Sequence, residues 1–104
     1  MLRRISEEKF GEKFGGQRDL SMFTKCVTAG PEAVRVKAAD IIDNIPYVKY
    51  LAGEQVVREW RAERVVVFAE MAQPLIGGET LWADLVRGHK ELTEWVMRGL
   101  TNKD

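Results

Sequence analysis

The feature that most constrains the fold is a long helical pattern between Gly53 and the pair Gly77–Gly78. Side chains recur there every three or four residues, which is the spacing of one face of an α-helix. This length and regularity predict that the apolar run at residues 65–68 is helical rather than a β-strand. The positions that follow the spacing are Val57, Trp60, Arg64, Val67, Met71 and Leu75.

Two further segments show the same periodicity. The first runs from Pro31 to about residue 51, and the Gly30–Pro31 pair that precedes it suits a helix start, since proline tolerates the first turn. Pro46 is expected to bend this helix near Ile45. The second runs from residue 79 to about residue 101. The apolar positions of the two stripes are Val34, Ala38, Ile41, Ile45 and Val48, then Leu81, Leu85, Leu92, Val96 and Leu100.

The first 29 residues give a weaker pattern. Ser6 resembles a helix start, Phe10 and Phe14 would share a face, and the segment from Leu20 to Val27 suggests a second short helix. We therefore predict an all-α bundle of four or five helices in one domain, residues 1–104. Residues 1–29 would form its less regular part and residues 30–101 a three-helix part.

Composition narrows the functional classes. Sixteen basic and sixteen acidic residues cancel, so the basic excess that is typical of nucleic-acid binding proteins is missing. The single cysteine, Cys26, allows neither an internal disulfide nor a multi-cysteine zinc site. No apolar run is long enough for a membrane span or for the core of a signal peptide. We expect a cytoplasmic protein that binds neither nucleic acid nor membranes.

Residues 36–44, with the sequence VKAADIIDN, carry a more specific motif. They resemble the V-K-x-A-D-x-x-x-N element of the HD-domain phosphohydrolases, especially the guanosine polyphosphate (ppGpp) hydrolase branch. The segments that start at Trp60 and at Leu81 are similar to the family's next helices. The resemblance covers roughly residues 36–100. Lys37, Asp40 and Asn44 also fall at i, i+3 and i+7, which places them on one helical face.

The resemblance implies a metal and nucleotide site, but this chain lacks most of the metal ligands that hydrolysis would need. Asp40 resembles the family's distant metal-binding aspartate, and Asn44 resembles an asparagine of its nucleotide pocket. The family's other ligands, a histidine and an adjacent His-Asp pair, have no counterpart here, because the only histidine is His89 in the last segment. One carboxylate cannot fix a catalytic metal. We therefore expect no cofactor, no metal site beyond a vestigial Asp40, and no catalytic residue, and the chain looks like the C-terminal half of an HD domain.

Two functions are compatible with such a remnant. It could be an interaction module that forms a homodimer, because half a domain leaves apolar surface that a second copy would cover. Alternatively, it could bind a guanine nucleotide without hydrolysis through Lys37, Asp40, Asn44 and Arg64. Activity as a nucleotide phosphohydrolase would require a partner chain that supplies the missing ligands.

Several residues allow a structural as well as a functional interpretation. Asp40 and Asn44 could simply form local hydrogen bonds. Arg64 lies on an apolar stripe, where it could reach an anionic ligand or pair with an acidic side chain at the edge of the core. Cys26 is expected to be inert and His89 to be a surface or half-buried histidine. The three tryptophans, Trp60, Trp82 and Trp95, are expected to anchor the core or an interface.

Overall fold

The computed structural model describes residues 16–50 and 55–101, and the environment of the side chains at residues 16–47 and 59–98. The described residues form four α-helices: α1 (Gly16–Ala29), α2 (Pro31–Tyr50), α3 (Gln55–Ile76) and α4 (Thr80–Thr101). They pack into a compact bundle around one hydrophobic core. The all-α prediction is confirmed, and the predicted helices before Gly16 lie outside the described residues.

Glycine sets the junction between α1 and α2. Gly30 has a positive φ of 115°, a conformation that favours glycine because it has no Cβ. Its amide donates to the carbonyls of Cys26 and Val27, both at 3.2 Å, and its own carbonyl accepts the amide of Val34 at 3.2 Å. Gly30 therefore ends one helix and caps the next, which begins at Pro31 as the sequence predicts.

Helix α3 lies against all three other helices. Its residues 65–69 are all buried, and five consecutive helical residues cannot lie on one face of a helix. Phe68 is fully buried and packs on Phe23 of α1, with ring centroids 4.9 Å apart. At the next residue, the Trp82 indole of α4 donates to the carbonyl of Ala69 at 2.8 Å. The helix with the strongest sequence pattern is thus the centre of the bundle.

Helices α2 and α4 approach each other closely at Gly88. A Cβ atom added to this glycine would collide with the Cδ1 atom of Ile45, so the missing side chain lets α4 lie near the buried Ile45. Pro46 follows directly, yet α2 continues through it to Tyr50. The exposed position of Pro46 fits a proline that costs one backbone hydrogen bond without ending the helix.

An ion pair joins α2 to the turn before α4. Arg35 donates through Nε and Nη2 to the two carboxylate oxygens of Glu79, at 3.0 Å each. The hydrogen bond from Arg35 lowers the pKa of the Glu79 carboxyl below its ordinary value. The carbonyl of Glu79 also accepts the amides of Trp82 and Ala83 at the start of α4. The pair therefore fixes the beginning of α4 relative to α2.

The described apolar positions of the periodic pattern in α3 face the core. Trp60 and Val67 are buried, whereas Met71 is only partly buried against the core. The side chain of Val57 lies outside the described residues. Trp82 and Trp95 pack against the core as half-buried residues. Among the described helices, none is both long and apolar enough to cross a membrane.

Candidate functional site

The polar face of α2 is organised around Asp40. The Lys37 ammonium lies 3.3 Å from Oδ2 of Asp40, and the Asn44 amide donates to Oδ1 at 3.1 Å and to the Asp40 backbone carbonyl at 2.8 Å. Each carboxylate oxygen therefore has a partner within the same helix. The side chain of Asp40 is still 55% exposed. The predicted common face of these three residues is confirmed, together with their local hydrogen bonds.

Arg64 of α3 pairs with Asp19 of α1. Its Nε lies 3.3 Å from Oδ2 of Asp19, whose side chain is only 4% exposed. Nothing else polar or charged among the described residues is buried to this degree. A desolvated carboxylate needs such a partner, because burying an uncompensated charge costs several kcal/mol. The predicted alternative of an acidic partner at the edge of the core is therefore confirmed for Arg64.

A cleft of about 520 Å³ opens between these two groups. Its volume lies within the range of roughly 300–1,000 Å³ that is common for small-molecule sites. It contains three of the four predicted ligand-binding residues, Asp40, Asn44 and Arg64. Lys37 does not line it and reaches it only through Asp40. The residues that line the cleft are Arg18, Asp19, Met22, Asp40, Asn44, Tyr47, Trp60, Arg61 and Arg64.

The cleft is locally positive although the whole chain has no net charge. Three arginines, Arg18, Arg61 and Arg64, line it against two aspartates, Asp19 and Asp40. Because Asp40 is also paired with Lys37, its charge is largely offset within α2. The electrostatic balance of the cleft therefore favours an anion.

Two of these arginines lie against the ring of Trp60. The Cζ atoms of Arg61 and Arg64 lie 5.4 Å and 6.0 Å from its ring centroid, which is the range of cation–π contact. Trp60 is 7% exposed, so most of its ring is covered. The ring that remains open to the cleft is Tyr47, which is 62% exposed.

Asp19, Arg18 and Arg61 were not predicted to contribute to a site. A weak signal for Asp19 does exist, since it lies four residues before the core residue Phe23 and therefore on the buried face of α1. Arg61 lies three residues before Arg64, which places both on one side of α3. Nothing in the sequence indicates that α1 and α3 are adjacent, and that contact is what brings these residues together.

The remaining candidates lie elsewhere. His89 of α4 is half-buried, as expected, and its Nε2 lies 3.3 Å from the Thr93 hydroxyl. Burial lowers the pKa of His89 below its ordinary value. Cys26 is half-buried against the core. Within residues 16–50 and 55–101, no group of three or more histidine, cysteine, aspartate or glutamate side chains could hold a metal ion.

Comparison with protein-family models, with curated proteins and with solved structures gives no match to this chain. The likeness of residues 36–44 to the HD-domain motif therefore stays a prediction from the sequence. What the structure adds is the fold, a bundle of four described helices, and the meeting of the motif with Arg64 in one cleft.

Proposed function

We propose that this chain is a non-catalytic HD-like helical module whose cleft binds a guanine nucleotide without hydrolysing it. The observation that carries the proposal is that Asp40, Asn44 and Arg64 line one open cleft. These residues come from two helices, and Arg64 lies outside the motif at residues 36–44. Their meeting therefore depends on how α2 and α3 pack and not on the spacing of the motif alone.

The chemistry of the cleft supports this ligand class. Arginine is well suited to phosphate because its guanidinium is always charged and can donate two parallel hydrogen bonds. The exposed Tyr47 ring offers a surface for an aromatic base. The Asp40 carboxylate is an acceptor for hydroxyl or amino groups of a nucleoside. A nucleotide is a small molecule that presents all three kinds of group.

The missing hydrolysis follows from the ligand set rather than from the shape of the cleft. Metal-assisted hydrolysis requires an ion held firmly enough to activate water. Asp40 has partners within α2, and the family's histidine and His-Asp ligands have no counterpart in the sequence. We expect calorimetry to detect no tight Mn²⁺ binding, and ppGpp to remain intact in the presence of the protein.

Thermal unfolding with added ligand tests the proposal. A ligand that binds only the folded protein raises Tm, so ppGpp or GDP should raise it and guanosine should do so less. Asp40→Asn should weaken this response, whereas Asp43→Asn is the matched control, since Asp43 is an exposed residue of the same helix that does not line the cleft. Wild-type protein whose Tm is unchanged at millimolar nucleotide would contradict the proposal.

Self-association is the second candidate function. Met22 and Tyr47, two of the large hydrophobic residues that are exposed in the described part of the chain, line the cleft. A second copy that covered them would form the homodimer expected from the sequence. Light scattering distinguishes the two functions: a mass near 11.9 kDa contradicts the dimer, and a dimer that dissociates in Met22→Ser places the interface over the cleft.

A further inference from the structure

We infer that the phosphates of the ligand lie at the seam between α1 and α3, on Arg18, Arg61 and Arg64, and that Asp19 is the positioning residue for Arg64. The inference rests on the proposed nucleotide binding and adds to it the part of the cleft that takes the anion. Of these four residues, only Arg64 follows from the sequence. The other three are assigned by the cleft itself.

Arg18 and Arg61 are the cations that remain available in the cleft. Neither forms an ion pair with another of the described residues, and Nε of Arg61 is buried without a hydrogen-bond acceptor there. A guanidinium without a counter-ion attracts an anion, and it can donate parallel hydrogen bonds to phosphate. Arg61 is held over the Trp60 ring, so its position is partly fixed before any ligand arrives. This arrangement matches an anion that has no hydrogen-bond donors and that accepts hydrogen bonds from several guanidinium groups.

Arg64 differs because it already has a counter-ion. Asp19 contacts only its Nε, so the terminal nitrogens of Arg64 are not used by this carboxylate. The Arg64 guanidinium also lies 5.7 Å from the Phe23 ring centroid. Buried Asp19 and Phe23 therefore hold the guanidinium at the edge of the core, where the Arg64 side chain lines the cleft and is 19% exposed. In this arrangement Asp19 sets the orientation of Arg64 and does not itself contact the ligand.

Asp19→Asn separates positioning from simple charge balance, because the two effects have opposite signs. Loss of the carboxylate makes the cleft more positive, which by Coulomb attraction alone would tighten binding of a phosphate. Loss of a positioning residue leaves Arg64 less well oriented and weakens the binding of a phosphate. We expect Asp19→Asn to bind GDP more weakly than the wild-type protein does, and tighter binding would overturn the role given to Asp19.

The main experiment compares ligands that differ only in phosphate. The dissociation constants of guanosine, GMP and GDP are measured by calorimetry for the wild-type protein, Arg18→Gln and Arg61→Gln. Each charge-assisted hydrogen bond contributes about tenfold or more in affinity. We therefore expect the preference for GDP over guanosine to fall about tenfold in each variant, with guanosine itself bound as before. Arg87→Gln is the matched control, since Arg87 is an exposed arginine of α4 that pairs with Asp84 and does not line the cleft.

Inorganic pyrophosphate distinguishes failure of this inference from failure of the proposed function. If pyrophosphate raises Tm of the wild-type protein but not of Arg61→Gln, the phosphate site stands even when guanosine makes no contribution. If GDP binds the wild-type protein and its preference over guanosine is unchanged in both arginine variants, the site is overturned while nucleotide binding survives. If neither GDP nor pyrophosphate changes Tm of the wild-type protein, both proposals fail.

Discussion

The two walls of the cleft are built in different ways. On the α2 wall, Lys37, Asp40 and Asn44 are joined by contacts three or four residues apart within one helix, and Asp40 is more than half exposed. On the α1–α3 wall, Asp19 and Arg64 are 45 residues apart and the carboxylate is buried. The first wall exists wherever α2 is helical. The second exists only when the bundle is packed, so it should contribute more to stability.

Replacement of Trp60 should have the largest effect, because this residue belongs to both the core and the α1–α3 wall. Removal of a buried tryptophan costs about 3–5 kcal/mol, which corresponds to a decrease in Tm of about 12 °C or more in a domain of this size. Tyr47→Ala on the α2 wall is the comparison, since this exposed side chain should contribute about 0.5 kcal/mol or less. Equal Tm decreases in the two variants, measured by calorimetry, would contradict the difference between the walls.

Removal of the buried carboxylate should have the next largest effect. Asp19→Ala leaves Arg64 without its partner at the edge of the core. A hydrogen bond to a charged group contributes about 1.5–3 kcal/mol, and access of Arg64 to solvent through the cleft places the expected loss toward the lower end. Urea unfolding gives this free energy. A midpoint identical to that of the wild-type protein would show that the buried pair contributes nothing to stability.

The corresponding change on the α2 wall should be much smaller. Asp40→Ala removes contacts to Lys37 and Asn44 that are exposed and local, and pairs of this kind contribute about 0–1 kcal/mol. We therefore expect urea midpoints in the order wild type, Asp40→Ala, Asp19→Ala, from highest to lowest. A larger loss of stability in Asp40→Ala than in Asp19→Ala would contradict this order. It would mean that the α2 wall contributes more to the stability of the bundle than the α1–α3 wall does.

The smallest expected effect comes from His89, which lies on neither wall. Burial lowers its pKa from the ordinary value of 6.5, so below that pH the unfolded chain takes up a proton that the folded protein resists. The contribution of neutral His89 to the free energy of unfolding is therefore fully present above pH 6.5. It is lost as the pH falls through and below that value. Urea midpoints at pH 7.5 and 5.5 should differ less in His89→Gln than in the wild-type protein. If the two midpoints differ as much in His89→Gln as in the wild-type protein, other groups cause the pH dependence.

The helices themselves could be predicted because their signals are local. Periodic apolar residues and the glycines at positions 30, 53 and 77–78 mark segments that agree with α2, α3 and α4. The α2 wall could be predicted for the same reason, since helical geometry alone places Lys37, Asp40 and Asn44 together. Met71 faces the core as predicted but is only partly buried, because periodicity shows which face a residue lies on but not how far a neighbouring helix covers it.

The sequence by itself determined the all-α class, the order of the helices and the face of α2 that carries Asp40. These depend on residues three or four apart, whose geometry is the same in any α-helix. Only the tertiary structure decided that α1 lies against α3, that Arg64 finds Asp19, and that Arg18 and Arg61 open onto the same cleft. Those contacts depend on how four helices share one core, and no spacing within a single helix encodes which charged residues will meet across it.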